Sequence, residues 1–280
     1  MFNLERPPRY RLARPPLVEA LVDVRYPVRA GLQSVEGIAP LQSRLEQMFP
    51  YMTQAQVQQI QLQIGPGSPP VGAASGGNIW QFNDDAGWVL VIAPDRATLA
   101  VGPQYANFTE FLDRFRVVVQ ALGEAGGVNR CDRLGVRYLD VALIPPGQGD
   151  GWRTWFRPEL TGWPATDVVN DAATIFTSLM QTQLSVPATG ELAGPPADIT
   201  AIIRHGLVPQ NSVAPTLSPG QPLAGPAFLL DTDLFVAAQQ PFDPDRLVDQ
   251  VTIFHDQLDR FFHWSLTPDG EEYFGLEVVE

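Results

Sequence analysis

Leu17–Val28, LVEALVDVRYPV, places Val18, Ala20, Val22, Val24, Tyr26 and Val28 at alternate positions, with Glu19, Asp23 and Arg25 between them. A period of two sends successive side chains to opposite faces of a strand, so this segment has one apolar and one polar face. Arg133–Ile144, RLGVRYLDVALI, is a second strand of comparable length near the middle of the chain. The patterns that follow each of the two segments decide the fold.

After Leu17–Val28, the spacing predicts a helix over Val35–Met52 carrying Ile38, Leu41, Leu45 and Met48. Strands are expected over Gln56–Ile64, Asn78–Phe82, Gly87–Ala93 and Thr98–Gly102. A helix capped by Asn107 follows, with Phe108, Phe111, Leu112, Phe115, Val118, Val119 and Leu122 as its stripe and Gly126-Gly127 as its stop. After Arg133–Ile144 the order recurs: a short helical or irregular crossover at Trp152–Leu160, then strands over Thr177–Val186, Asp198–Gly206 and Phe228–Val236. Asp243-Pro244 opens the last helix, whose stripe is Leu247, Val251, Phe254, Leu258 and Phe261.

These patterns predict an α+β fold built from a duplicated β-α-β(3–4)-α unit, with pseudo-repeats at about 17–126 and 128–265. The two units are expected to join as one curved antiparallel sheet with helices packed on one face, a saddle like that of the TATA-binding protein. Residues 1–280 then form a single domain behind an Arg/Pro-rich N-terminal arm, residues 1–16. Pro145–Gly151 links the halves, and the Pro/Gly-rich stretches 65–77, 187–197 and 207–226 are expected to be mobile.

Composition narrows the chemistry. All eighteen basic residues are Arg, which excludes a Schiff-base Lys, a Walker A Lys and a Lys general base, although the same bias is expected of a GC-rich genome. One cysteine, Cys131, and three histidines rule out a disulfide within the chain and a Cys-rich zinc site, and a reducing, cytoplasmic setting is expected. The Arg-rich N-terminus does not read as a signal peptide, and the apolar run Trp88–Ala93 is far short of a membrane span, so no membrane association is expected. The formal charge of −13 disfavours non-specific binding to nucleic acid. It is unevenly spread: residues 1–32 hold six Arg against three carboxylates, whereas residues 222–280 hold twelve carboxylates against two Arg. The acidic end is where a basic partner is expected.

If the apolar phase faces the helices, the opposite sheet face displays Glu19, Asp23, Arg25, Gln59, Gln61, Gln63, Gln181, Gln183, Arg204, Asp231 and Asp233. The phase of the central strand is ambiguous, because Arg133 and Arg137 fall with Leu139 and Val141 while Asp140 falls with Val136 and Tyr138; a bulge near Gly135 would reconcile them. The candidate binding residues are therefore Glu19, Asp23, Arg25, Arg133, Arg137, Tyr138, Arg204, Asp231 and Asp233. Asp231 and Asp233 share one side of a strand and with Glu19 or Asp23 have the geometry to hold a divalent ion, but solvated carboxylates are the simpler reading, and neither a metal nor a cofactor is expected. His255, Asp259 and His263 have dyad or metal-pair spacing on the last helix, where a half-buried, hydrogen-bonded His255 is the simpler role. Cys131 beside Arg130 and Arg133 is a weak candidate thiolate. Gly-rich phosphate loops, G-x-S-x-G and H-E-x-x-H are absent from the sequence.

Pro15-Pro16-Leu17-Val18-Glu19-Ala20, the Trp80–Phe82 strand, Tyr105 and Phe108 at a helix start, Arg133-Leu134-Gly135-Val136-Arg137-Tyr138 and the His255–Phe261 helix together resemble a sporadically distributed bacterial family without a settled activity. The resemblance spans nearly the whole chain, with P-P-L-V-E-A and R-L-G-V-R-Y its most specific parts; the family's pattern more often has Asn where this sequence has Asp140. Patchy distribution implies mobile defence or toxin-linked operons. The resulting expectation is a non-enzymatic accessory protein that binds a partner protein through its polar sheet face or Arg-bearing arm, with a homo-oligomer left open. The alternatives are a metal-dependent nucleotide or phosphate-ester enzyme using the sheet carboxylates, and a nucleic-acid-binding saddle.

Overall fold

The computed structural model describes residues 1–56, 78–147, 151–170, 174–217 and 220–279. Along the chain lie β1 (Tyr10–Leu12), β2 (Leu17–Arg25), α1 (Val35–Leu45), β3 (Tyr51–Gln56), β4 (Asn78–Asn83), β5 (Trp88–Ala93), β6 (Arg96–Val101) and α2 (Phe108–Glu124). The second half contains β7 (Arg130–Cys131), β8 (Arg133–Leu143), α3 (Gly151–Trp155), α4 (Pro158–Thr161), β9 (Ser178–Val186), β10 (Ile199–Val208), β11 (Ala227–Val236), β12 (Gln240–Pro241), α5 (Pro244–Ser265), α6 (Pro268–Phe274) and β13 (Leu276–Val278). The fold is α+β around a large antiparallel sheet, and no helix among the described residues is long and apolar enough to cross a membrane.

Nine strands hydrogen-bond in the order β3-β4-β5-β6-β2-β8-β11-β10-β9, every neighbour antiparallel. In each half the first long strand lies at the centre, β2 beside β8, and the last strand of that half, β6 or β11, lies next to it. The earlier strands of each half then run outward, ending at the edges β3 and β9.

The six helices among the described residues cover one face. Ala20, Val22 and Val24 of β2, Leu134 and Val136 of β8, and Leu234 and Val236 of β11 pack in one cluster with Phe111, Phe115 and Leu122 of α2 and with Leu247, Val251, Phe254 and Leu258 of α5. The four α5 residues are at most 1% exposed, and each such burial contributes roughly 1.5–3 kcal/mol. Local signals support the helices: Asn107 accepts from the Glu110 amide, and Asp243 from the amides of Asp245 and Arg246. On the same face Ala142, Phe228, Leu230, Ile203 and Leu207 pack with Trp152, Trp155, Phe156, Leu160 and Phe274 of α3, α4 and their neighbours.

Two expectations need correction, and a third lies outside the described residues. The first helix stops at Leu45, and Tyr51 and Met52, which the spacing extended the helix towards, begin β3 just after Pro50. Only Gln56 of the Gln56–Ile64 strand is described; the rest, with Gln59, Gln61, Gln63 and the 65–77 stretch, lies outside the described residues. β8 runs without a bulge; the register irregularity is in β2, between Leu17 and Glu19.

The ambiguous phase of β8 is resolved by a third apolar cluster on the opposite face. There Leu139, Val141, Leu229, Val208 and Ala227 are covered by Ala214 and Leu223 from the β10–β11 connection. That connection was expected to be mobile, but Leu217 N–H donates to Glu19 Oε1 at 2.6 Å and Arg137 Nη1 to Pro215 O at 3.0 Å, holding its described residues to the sheet. The polar face is thus roofed over its central strands.

The N-terminal arm is also tied down. β1 pairs with β13, Arg6 Nε donates to Asp256 at 2.7 Å, Arg11 Nε to Glu277 at 2.8 Å and Arg14 Nε to Tyr273 O at 2.6 Å. Phe2 stacks on Phe261. The acidic C-terminal end is thus met in part by the chain's own arm, although the Arg6 and Arg11 side chains stay 70% and 72% exposed.

Candidate functional site

β2, β8, β11 and β10 lie side by side, so their outward positions form a charged lattice on the sheet face away from the helices. The register sets Asp23 opposite Gly135, Asp233 opposite Arg137, and Asp231 opposite both Leu139 and Arg204. Gly135 matters here, because a Cβ at that position would lie 2.9 Å from Arg133 Nη1 and from Phe235 Cβ. Across this gap Arg133 donates to Asp23 at 2.9 Å and to Asp233 at 3.2 Å, its guanidinium 4.3 Å from the Phe235 ring centre. Asp23 also accepts from Arg25 Nε at 3.1 Å and Thr98 Oγ1 at 3.0 Å.

A second knot forms around Asp231, which is fully buried. Arg137 grips it bidentately, Nε to Oδ1 at 2.6 Å and Nη2 to Oδ2 at 3.0 Å, and Arg204 Nη1 donates to Oδ2 at 3.1 Å. Arg204 Nε donates in turn to Gln181 Oε1 of β9 at 2.8 Å. Burial raises the Asp233 pKa, against the opposing charge of Arg133. The four arginines 25, 133, 137 and 204 thus pair with the three aspartates 23, 231 and 233.

This arrangement changes the candidate metal site. Arg133 stands between Asp23 and Asp233, and Asp231 is held by two guanidiniums, so arginines occupy the positions a cation would need. Among the described residues no group of three or more His, Cys, Asp or Glu could hold a metal ion. Glu19 is the irregular member: it is 5% exposed, its Oε1 accepts from Leu217, and its Oε2 is buried with no hydrogen-bond partner. Burial pushes its pKa up to about 7, against the pull of the Leu217 amide and Arg137.

Tyr138 does not belong to this face. It points to the helices, where its hydroxyl lies 2.8 Å from His255 Nδ1 and 3.5 Å from the Tyr105 hydroxyl. His255 stacks on Phe108 with ring centres 3.6 Å apart, and burial pulls its pKa down to about 4. Nearby, Tyr10 donates to Asp259 at 2.9 Å. Burial pushes Asp140 on β8 up to about 8, with Asp231 adding repulsion, so it is mostly protonated at neutral pH. These groups join the arm, α2 and α5 to the sheet, which makes them a bracing cluster. Tyr10, Tyr105 and Asp140 were not among the candidate residues; the signal for Asp140 was a carboxylate in an apolar phase.

The remaining candidates are accounted for. His263 Nε2 lies 3.9 Å from Glu271, not beside His255 as a metal pair requires. Cys131 is fully buried, and burial raises its pKa to about 12, which keeps it a thiol.

Among the described residues β9 is an outermost strand of the sheet, and Leu179–Gln183 are all exposed. Its sequence, SLMQTQLSV, has no charge, proline or glycine, the usual devices that blunt a sheet edge. Leu179 and Met180 are each 51% exposed and Phe176, just before the strand, 73%. It is seated closely on β10 because Gly206, at φ +139°, faces Ser178 O where a Cβ would be 1.7 Å away.

Comparison of the sequence with protein-family models gives no matching family, and the curated proteins likewise give no match.

Proposed function

We propose that this chain is a non-enzymatic interaction module that docks a partner protein through the outer edge of β9, the partner adding a strand to the sheet. The observation that carries this reading is the uncharged, unprotected nine-residue edge with exposed Leu179 and Met180. Main-chain groups along such an edge supply affinity, and alternate side chains supply selectivity. The charged face fits a structural role better than a docking role, since its arginines and aspartates satisfy one another beneath the β10–β11 connection. The same neutralisation leaves a phosphate-ester enzyme or a nucleic-acid saddle without free guanidiniums at its centre. We also infer that the two halves descend from one duplicated unit; mirrored strand order about the β2–β8 junction supports it. The expectation drawn from the resemblance, a module encoded beside its partner in a mobile operon, is compatible with this reading.

The test is co-expression of the tagged chain with the products of the genes flanking its own, as wild type and as Thr182→Lys. Retention of one product by wild type and its loss from the variant supports the reading. Equal retention by both, or a thermal shift with Mg²⁺, Mn²⁺ or nucleotides, overturns it.

A further inference from the structure

Reading β9 as a docking edge leaves open which strand covers it while the partner protein is not bound, and its sequence contains a self-complementary answer. We propose that β9 pairs antiparallel with β9 of a second copy of this chain about a two-fold axis at Thr182, making one sheet continuous through the dimer. This inference rests on the edge reading given above.

A two-fold contact is isologous: if one residue meets another across it, the second meets the first. An axis perpendicular to the sheet also keeps each residue on its own face, so partners must come from the same alternating set. Centred on Thr182, Gln181 falls opposite the second copy's Gln183, Met180 opposite its Leu184, and Leu179 opposite its Ser185. Thr182 falls opposite its own counterpart. Amide meets amide on the lattice face, thioether meets isobutyl on the helix face, and Thr–Thr pairing at the centre is favourable in antiparallel ladders. Centred one residue earlier, the strand would set Gln183 against Leu179 and Met180 against Thr182, losing this match.

The setting supports the same register. β9 carries no charge, so no like charges oppose each other at the axis. Gln181 Oε1 already accepts from Arg204, which orients its amide and leaves its NH₂ free to donate to the second copy's Gln183. The join would cover Met180 and Leu179, each now half exposed. Leu184 is already partly buried against both helix-side clusters, so its packing continues across the axis.

Thr182 is exposed, and replacing it leaves the fold of one copy intact, which makes it the position to test. Sedimentation equilibrium across the micromolar range should give wild type twice the chain mass. Thr182→Lys and Thr182→Glu should each weaken the dimer by about tenfold or more through like charges at the axis, a loss of about 1.4 kcal/mol or more. An equimolar mixture of the two variants should recover a dimer, with native mass spectrometry reading one copy of each. Wild type at chain mass throughout, variants that dimerise unchanged, or a mixture that stays monomeric would each overturn the proposal. Its failure is separable from that of the docking reading: a monomeric wild type that still loses a flanking-gene product on Thr182→Lys leaves strand docking standing without self-pairing.

Discussion

Glu19 gives the sharpest test of how the sheet face is held. Its carboxyl is 5% exposed, one oxygen accepts from Leu217 and the other has no partner, and burial raises its pKa from an ordinary 4.5 to about 7. The sign follows from linkage. Below about pH 4.5 the group is protonated in folded and unfolded chains alike, and its environment contributes no pH dependence. Between about pH 4.5 and 7 the unfolded chain ionises and the folded one resists, so stability falls as pH rises and levels off above 7. The rise from 4.5 to about 7, at about 1.36 kcal/mol for each tenfold change in proton affinity, corresponds to about 3 kcal/mol. Glu19→Gln keeps an acceptor for Leu217 and cannot ionise. Its own packing cost is the same at every pH, so the quantity to measure is the change in the variant-minus-wild-type difference. Urea unfolding at pH 4.5 and at pH 8 should show that difference moving by about 3 kcal/mol in favour of the variant. A difference constant to within about 0.5 kcal/mol would refute the reasoning, showing that Glu19 ionises freely and that the connection above it opens to water.

Other consequences follow from the same geometry. Asp231→Leu strips Arg137 and Arg204 of their shared buried partner and should cost about 3–5 kcal/mol in urea unfolding, whereas the triple replacement Arg137→Met, Asp231→Leu, Arg204→Met should recover most of it. Asp140, raised to about 8, works in the same direction as Glu19; Asp140→Asn, close in shape to the neutral acid, should stabilise the chain at pH 8 relative to pH 4 as read by the urea midpoint. His255 works oppositely: with a folded pKa of about 4 against 6.5 unfolded, it costs stability as pH falls from 6.5 to 4, and His255→Phe should remove that part of the acid sensitivity of Tm. In the arm, Arg11→Ala breaks an exposed pair and should change stability by no more than about 1 kcal/mol, while Phe2→Ala, which removes a ring stacked on Phe261, should cost more.

The strand at Leu17–Arg25, the stripe of α2 and the α5 stripe from Leu247 to Phe261 were legible because alternation and helical periodicity are local, and a buried face imprints itself on consecutive residues. Asp140 was visible as an anomaly for the same reason. The end of α1 and the start of β3 were misread because apolar spacing through Met48 and Met52 fits either period over so short a run. Leu139 and Val141 looked out of phase because the connection that covers them lies far along the chain.

By itself, the sequence determined which apolar stripes would face the helices, which class of fold would bury them, and that arginine would be the only fixed cation. Tertiary structure decided what the charges do, since Asp23 and Arg133, or Arg137 and Asp231, are about a hundred residues apart and meet only through strand order and register. It also decided that the basic arm pairs with the acidic end, and that β9 has no outer neighbour among the described residues. The physical reason is one of range: side-chain periodicity is set by the geometry of a few successive peptide units, whereas pairing energies act between whichever surfaces the finished sheet brings within a few ångströms.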